Sequence, residues 1–325
     1  MSDIASTIKT TELNEEQAAK LQTLVEEIPN ILASTNNPEY DEIFGYRINK
    51  TNLEYVDENI RNEILLKFLI ADKYDIELTK SRLIKTFNWR NEFQPLKAGF
   101  EEIFPDELNL LGSITKFPNS NTNNNNLLLL GITTWNLYGN IKNPKILFEK
   151  FGQEEDNQNE LPGNLFLRWR IGLMEQSLQL IDFTDSKLNQ IAQIQDTNNV
   201  SIFNIDPGMK KGMKDIIQIL GDNYPELLSI KFFINVPYIM GWIFTFLKKI
   251  GIINEETLKK FQVLNHGDLT DFYPADFLPK SYGGNKDQTI FDINISKEIK
   301  LKEYGQIMLK KSIDKEITTS NQEVE

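Results

Sequence analysis

The chain has 325 residues, 40% of them hydrophobic and 25% charged, ordinary globular proportions for about two domains. Lys plus Arg total 35 against 47 Asp plus Glu, a net charge of −12, which excludes whole-molecule attraction to nucleic acid or to an anionic bilayer. There is no Cys and a single His, so disulfides, thiol nucleophiles and Cys-containing zinc sites are excluded, and a catalytic triad or multi-His metal site lacks its parts.

The expectation is therefore a soluble protein of a reducing, intracellular compartment that is not a hydrolase of the common kinds. The first twenty residues carry Asp3, Glu12, Glu15 and Glu16 and no apolar core, so no secretory signal is read there. Residues 1–60 hold 12 acidic and 4 basic side chains and supply most of the negative charge. Within them, Ala18, Leu21, Leu24 and Val25 recur at helical spacing after Asn14, which predicts a capped helix over 14–28. Ile60, Ile64, Phe68 and Ala71 form a second stripe, widened by Leu65, Leu66 and Leu69, and predict a helix over 59–71. A third follows over 76–93, with Leu83, Ile84, Phe87 and Trp89 inward, and ends near Gln94-Pro95.

Beyond these helices the texture changes. The polar run 119–126, with six Asn among its eight residues, reads as a solvated loop. The apolar run 127–133 after it reads as a buried strand. An acidic insertion at 153–160 precedes a helix over 166–180. Strand-like pieces at 191–195, 230–236 and 261–264 alternate with helices at 210–220 and 238–249, the pattern of a mainly parallel sheet faced by helices. From Ser296 onward, Ile299, Leu301, Tyr304, Ile307 and Met308 predict an amphipathic helix that frays after Thr318.

The longest apolar stretch, 232–247, is 16 residues long and is broken by Asn235 and Pro237, too short to span a bilayer. Its second part, 238–247, is apolar on every side, which fits either a core helix or the wall of a lipid pocket; Lys248 and Lys249 at its end favour the second. His266 reads as a loop histidine, since no G-x-S-x-G elbow accompanies it. No phosphate-binding glycine motif occurs, and Glu154-Glu155 and Glu255-Glu256 read as solvated acids. Absence of visible chemistry favours binding over catalysis.

Tyr224-Pro225-Glu226, followed by Lys231-Phe-Phe-Ile-Asn-Val-Pro237, resembles the CRAL-TRIO lipid-binding family, and in particular its fungal phosphatidylinositol transfer proteins. The apolar 238–247 is similar to the family's gating helix, with Tyr238, Trp242 and Phe246 on it. Asn254–Phe261 is similar to the helix and strand that follow, and Leu278–Gly284 to the closing turn. Upstream, Leu66–Asp75 and Trp89-Arg90 resemble the preceding helical domain. The likeness spans 57–284 and implies an α/β fold: a small helical domain, then a mainly parallel sheet flanked by helices around an apolar cavity. It divides the chain into an acidic extension (1–56), a helical region (57–95), the lipid-binding domain (96–284) and a helical tail (285–325).

The resemblance places the phosphoinositide headgroup set on Lys73, Glu226, Thr257 and Lys260. Cations suit the phosphodiester, and a carboxylate can accept from neighbouring ring hydroxyls. The family's basic pair has Asp72 as its first member here. Choline-selective relatives carry two hydroxyl residues where this chain has Ile191 and Gln193, so phosphatidylcholine is disfavoured. Arg170-Ile-Gly-Leu-Met-Glu175 and Leu180-Ile-Asp-Phe-Thr184 resemble a sub-branch associated with haem. Its pocket positions fall on Tyr138, Arg170, Gln195, Thr197 and Lys231, with Gln195 and Thr197 where that sub-branch has His and Tyr.

The resulting expectation is a non-enzymatic carrier of phosphatidylinositol, without phosphatidylcholine transfer and without a resident metal. The alternative is a haem-binding protein of oxidant stress. An enzyme acting on a lipid or small acid in the cavity ranks far lower, for want of a nucleophile–base pair or a metal set. The implied setting is cytoplasmic, with transient contact to endoplasmic reticulum or microsomal membranes. Phosphatidylinositol and lipid kinases are the implied partners, nucleic acid is not one, and the chain is expected to be a monomer.

Overall fold

The computed structural model describes residues 4–118, 131–153, 161–198, 200, 206–237 and 259–322, with side chains to Asp314. After a short helix α1 (Ile4–Thr7), α2 (Glu15–Ala33) starts at Asn14. The Asn14 side chain accepts from the Gln17 amide while the Gln17 side chain accepts from the Asn14 amide, so two donors of the first turn are satisfied reciprocally. This helix runs five residues past its predicted end, through Pro29. The hydrogen bond that proline forfeits is offset by burial of Ile31 and Leu32 just beyond it.

A two-stranded hairpin follows, β1 (Glu42–Ile43) and β2 (Tyr46–Arg47), which the sequence reading did not contain. Its turn, Phe44-Gly45, has φ of 57° and 86°, the left-handed pair that matches strand twist. Helices α3 (Glu58–Ala71) and α4 (Ile76–Phe93) start on the Asp57 and Asp75 side chains and lie within a residue of their predicted bounds. Two short helices, α5 (Pro95–Phe100) and α6 (Asp106–Asn109), lead into the sheet.

The sheet has the order β3-β4-β5-β6-β7: Gly112–Lys116, Ile132–Leu137, Ile191–Asp196, Leu228–Ile234 and Phe261–Val263. Strand β3 pairs antiparallel with β4, and the other neighbours are parallel. Helices α7 (Pro144–Phe151), α8 (Leu165–Leu178) and α9 (Pro207–Asn223) make the connections, and α10 (Glu303–Gln322) returns to the first hairpin. Three readings need correction. The tail expected to be helical from Ser296 and to fray after Thr318 begins its α-helix at Glu303 and keeps it to Gln322. Strand β3 was missed, and the strand expected at 127–133 occupies Ile132–Leu137, so that Thr133, Thr134 and Asn136 are strand residues, all buried. Residues 119–130, 154–160 and 238–258, on which the loop, insertion and gating-helix readings fall, lie outside the described residues.

The two faces of the sheet differ. On one, Trp135, Leu137, Ile194, Ile230 and Phe232 pack against Tyr273, Leu278, Tyr282 and Ile290 from the segment after β7. On the other, Ile114, Ile132 and Ile191 share a core with α2, α3, α4 and α8. Farther along that second face stand Thr134, Gln193 and Lys231, side by side across three strands, then Asn136, Gln195 and Phe233. Helix α8 crosses α5 closely: a Cβ on Gly172 would come within 2.4 Å of the Ala98 carbonyl oxygen, so only glycine fits there.

A buried ion network joins these parts. Arg90 of α4 donates to Glu42 (2.9 Å) and Glu175 (2.7 Å), and all three side chains are fully buried. Burial alone would lower the Arg90 pKa, but the two carboxylates hold it well above the usual arginine value. Burial raises Glu42 against the pull of Arg90. The Tyr224 hydroxyl donates to Glu175 at 2.5 Å. This network fixes the turn that carries Glu226.

Candidate functional site

Glu226 follows that anchored turn with φ 53°, and Lys73 and Tyr74, where α3 ends, have φ 55° and 60°. The pair after α3 closes that helix, with the Lys73 and Tyr74 amides donating to the Ile70 and Leu69 carbonyls at 3.0 and 2.7 Å, while Glu226 is a single left-handed residue with a side chain. The Glu226 carboxylate accepts from Lys260 Nζ at 3.2 Å. Its carbonyl oxygen accepts from Lys67 Nζ at 3.0 Å and from the Gln190 amide at 3.1 Å. Asp72, the departure from the family's basic pair, is held by Arg82, whose guanidinium donates to it at 2.7–3.1 Å. Arg82 also donates to the Gly221 and Asp222 carbonyls at 2.9 and 3.3 Å. The α3–α4 corner is thereby fastened to the end of α9.

Lys67 was not among the sequence-derived site residues. It is 6% exposed, and burial lowers its pKa to about 8, with Glu63 and Glu226 opposing and Lys260 adding to the fall. The signal was present in the sequence, since Lys67 sits inside the apolar stripe of α3 between Ile64 and Phe68. One of its three hydrogens goes to the Glu226 carbonyl. A pocket of about 300 Å³ opens beside it, walled by Leu66, Ile70 and Tyr74, by Asn189 and Gln190, and by Glu226.

Of the four headgroup residues carried over by resemblance, Glu226 and Lys260 are in contact. Lys73 is exposed at the left-handed corner after α3, and its neighbour Tyr74, rather than Lys73, lines the pocket that Glu226 also lines. Thr257 lies outside the described residues, as do Tyr238, Trp242 and Phe246.

The haem-associated positions form a second cluster at the upper, polar end of the sheet. Arg170 is 2% exposed; burial lowers its pKa, and a hydrogen bond with Tyr138 opposes this. Its Nη1 has no partner among the described residues. Lys231 is lowered to about 8 by burial and by repulsion from Arg170, with its Nζ 5.5 Å from the centre of the Phe233 ring. Neither cation has a carboxylate partner among the described residues.

Haem needs an axial donor in addition to cations. Position 195 offers an amide, and the Thr197 hydroxyl donates to the Ile234 carbonyl at 3.0 Å. The Tyr138 phenol is raised above its ordinary value by burial, Arg170 opposing, which disfavours the phenolate. Arg170 and Lys231 suit carboxylates, but residues 195 and 197 do not fit iron ligation. Among the described residues, no cluster of metal-ligating side chains occurs, and no helix is long and apolar enough to cross a membrane.

Residues 131–284 match the CRAL/TRIO domain. Over 323 residues the chain is 61% identical to a phosphatidylinositol transfer protein SFH5 of Candida albicans, covering 99% of this chain and 98% of that one. The chain belongs to the CRAL/TRIO family. It is 57% identical to the SFH5 protein of Lodderomyces elongisporus over 99% of this chain and 82% of that one. The SFH5 protein of Saccharomyces cerevisiae is 34% identical over 86% of this chain and 90% of its own. A crystal structure of Sfh5 superposes with a TM-score of 0.79 at 32% identity, over 94% of this chain and 99% of that one. The α/β fold expected from the CRAL/TRIO resemblance is thus the fold observed.

Proposed function

We propose that this CRAL/TRIO protein binds phosphatidylinositol and moves it between membranes, reading the headgroup with Glu226, Lys260 and Lys67. The observation that carries this reading is the half-open constellation at the Glu226 turn. One carboxylate is paired with one lysine, and a second, buried lysine, which gives one of its three hydrogens to a partner among the described residues, lines a polar pocket. The two ammonium groups suit a phosphodiester, and Glu226 can accept from ring hydroxyls once Lys260 turns to the phosphate. Carriage is worthwhile only if the acyl chains stay covered, because each exposed CH₂ costs about 0.8 kcal/mol. Tyr238, Trp242 and Phe246 are assigned to the gate on the resemblance. Thr257 and Lys73 complete the headgroup set on the same ground.

Ile191 is buried in the helical core and Gln193 is an amide, so neither gives choline a hydroxyl. The protein is a carrier rather than an enzyme in this reading. It works as a monomer from the cytoplasm at endoplasmic reticulum or microsomal surfaces, and supplies lipid kinases. The test is vesicle-to-vesicle transfer of labelled phosphatidylinositol and phosphatidylcholine by the parent and by Lys260→Ala. The parent moves the inositol lipid only, and the variant moves it several-fold more slowly at an unchanged melting temperature. Equal transfer by parent and variant defeats the headgroup assignment.

Haem binding in oxidant stress remains the second reading, and one observation favours it: Arg170 and Lys231 lack acidic partners among the described residues and would suit two carboxylates. Residues 195 and 197 weigh against iron. A Soret band with stoichiometric iron in the purified protein would establish haem, and colourless protein carrying lipid would dismiss it.

A further inference from the structure

The buried Glu63 of α3 accepts three hydrogen bonds from a segment more than fifty residues away in sequence. The backbone amides of Lys9 and Thr10 donate to Oε1 at 2.6 and 2.9 Å, and the Thr10 hydroxyl donates to Oε2 at 2.7 Å. From the preceding residue of α3, the Asn62 side-chain amide donates to the Thr7 hydroxyl at 2.8 Å. Ile8 is buried in the main core. The amino-terminal segment is thus strapped along α3, and Thr10, Thr11, Glu12 and Gln17 form one wall of the pocket whose other walls carry Lys67 and Glu226.

Hydroxyls, amides and carboxylates dominate the lining. Two of its side chains are more than nine-tenths buried and, among the described residues, keep hydrogen-bonding capacity: Lys67, with one of three hydrogens used there, and Asn189, with no side-chain partner there. Leu66, Ile70 and Tyr74 offer an apolar surface. That combination suits a cyclic polyol, whose edge donates and accepts and whose C–H face is apolar. The charges set a limit. Glu12, Glu63 and Glu226 line the space with Lys67 as the one cation of that lining among the described residues, and Lys260, once it turns from Glu226 to the phosphodiester, is engaged there and leaves no cation for a second phosphate. A ring phosphate would bring nearly two further negative charges among three carboxylates.

We propose that the segment from Thr10 to Gln17, held by Glu63, is a specificity wall of the headgroup pocket that admits an unphosphorylated inositol ring and rejects one bearing further phosphates. This rests on the headgroup reading above. Rejection comes from repulsion built into the wall rather than from any lost contact to the ring. Glu63 acts as a positioning residue, since its oxygens are engaged by the strap, while Glu12 is exposed at the rim and faces the ligand.

The test uses the full chain and phosphatidylcholine vesicles doped with either phosphatidylinositol or phosphatidylinositol 4-phosphate, measuring lipid extracted by the parent, Glu12→Lys and Glu63→Gln. The parent should prefer phosphatidylinositol by about tenfold or more, the scale of like-charge rejection. Glu12→Lys should narrow that ratio several-fold, chiefly by raising extraction of the phosphorylated lipid. Glu63→Gln should narrow it too, with faster amide exchange at Lys9 and Thr10. A parent that extracts phosphatidylinositol but takes both lipids equally would overturn the proposal while leaving the headgroup reading standing. So would Glu12→Lys with an unchanged ratio. A parent that extracts neither lipid would overturn both.

Discussion

Two clusters of buried charge lie one turn of chain apart and differ in kind. Around Arg90, both carboxylates and the Tyr224 hydroxyl are matched to one another with no exposed surface. Around Lys67, Glu226 and Lys260, the described residues take one of the three Lys67 hydrogens, and the paired Glu226 and Lys260 side chains are about 30% exposed. A closed network offers a ligand nothing and serves to hold the hairpin, α4, α8 and the Tyr224 turn in one arrangement. An open one has capacity to spend on a ligand. Completeness of pairing, more than burial, separates the scaffold from the proposed site.

The largest effect should come from breaking the closed cluster. Arg90→Leu leaves two buried carboxylates without their cation and should destabilise the fold by about 3–5 kcal/mol, read from urea unfolding. A loss under about 1 kcal/mol would mean that the network is not what fixes the turn.

Lys67→Met in the open cluster should do the reverse. Phosphatidylinositol transfer should fall about ten- to hundredfold, the worth of a charge-assisted hydrogen bond of about 1.5–3 kcal/mol. The melting temperature should hold or rise, because a buried ammonium is replaced by an apolar chain of similar length. Transfer that survives while stability drops would make Lys67 part of the scaffold.

The smallest effect is a pH dependence. Lys67 titrates at about 8, so affinity for the phosphate should decline as pH rises through that value, and later in the complex, where the bound anion holds the proton on. Stability should move the other way. Between about 8 and the ordinary lysine range the unfolded chain binds more protons than the folded one, so this group's contribution to stability grows as pH increases. Parallel titrations of lipid affinity and unfolding free energy, in the parent and in Lys67→Met, isolate both trends.

Much of the scaffold could be read in the sequence because local signals sufficed. Asn14, Asp57 and Asp75 cap helices whose apolar stripes keep helical spacing, and the apolar runs of β5, β6 and β7 announce parallel strands. Strand β3 escaped because Gly-Ser-Ile-Thr-Lys is short and polar, and its partner β4 begins only at Ile132. Strand β4 was ended too early for a related reason: Thr134 and Asn136, beyond the predicted end at Thr133, look solvated in sequence, although they are buried in the sheet. Glu226 and Lys260 were reached only through family resemblance, since an isolated acid and an isolated lysine carry no pattern. Lys67 broke an apolar stripe and could have been found by that alone. The Glu63 strap could not, because nothing near position 63 foretells contact with Thr10.

The most direct test of the account is native mass spectrometry of the purified full chain, with its bound lipid released and identified. The account predicts one phosphatidylinositol per chain, without phosphatidylcholine, and its loss in Lys67→Met. Empty protein, or a bound molecule of another class that the same substitution leaves in place, would contradict it.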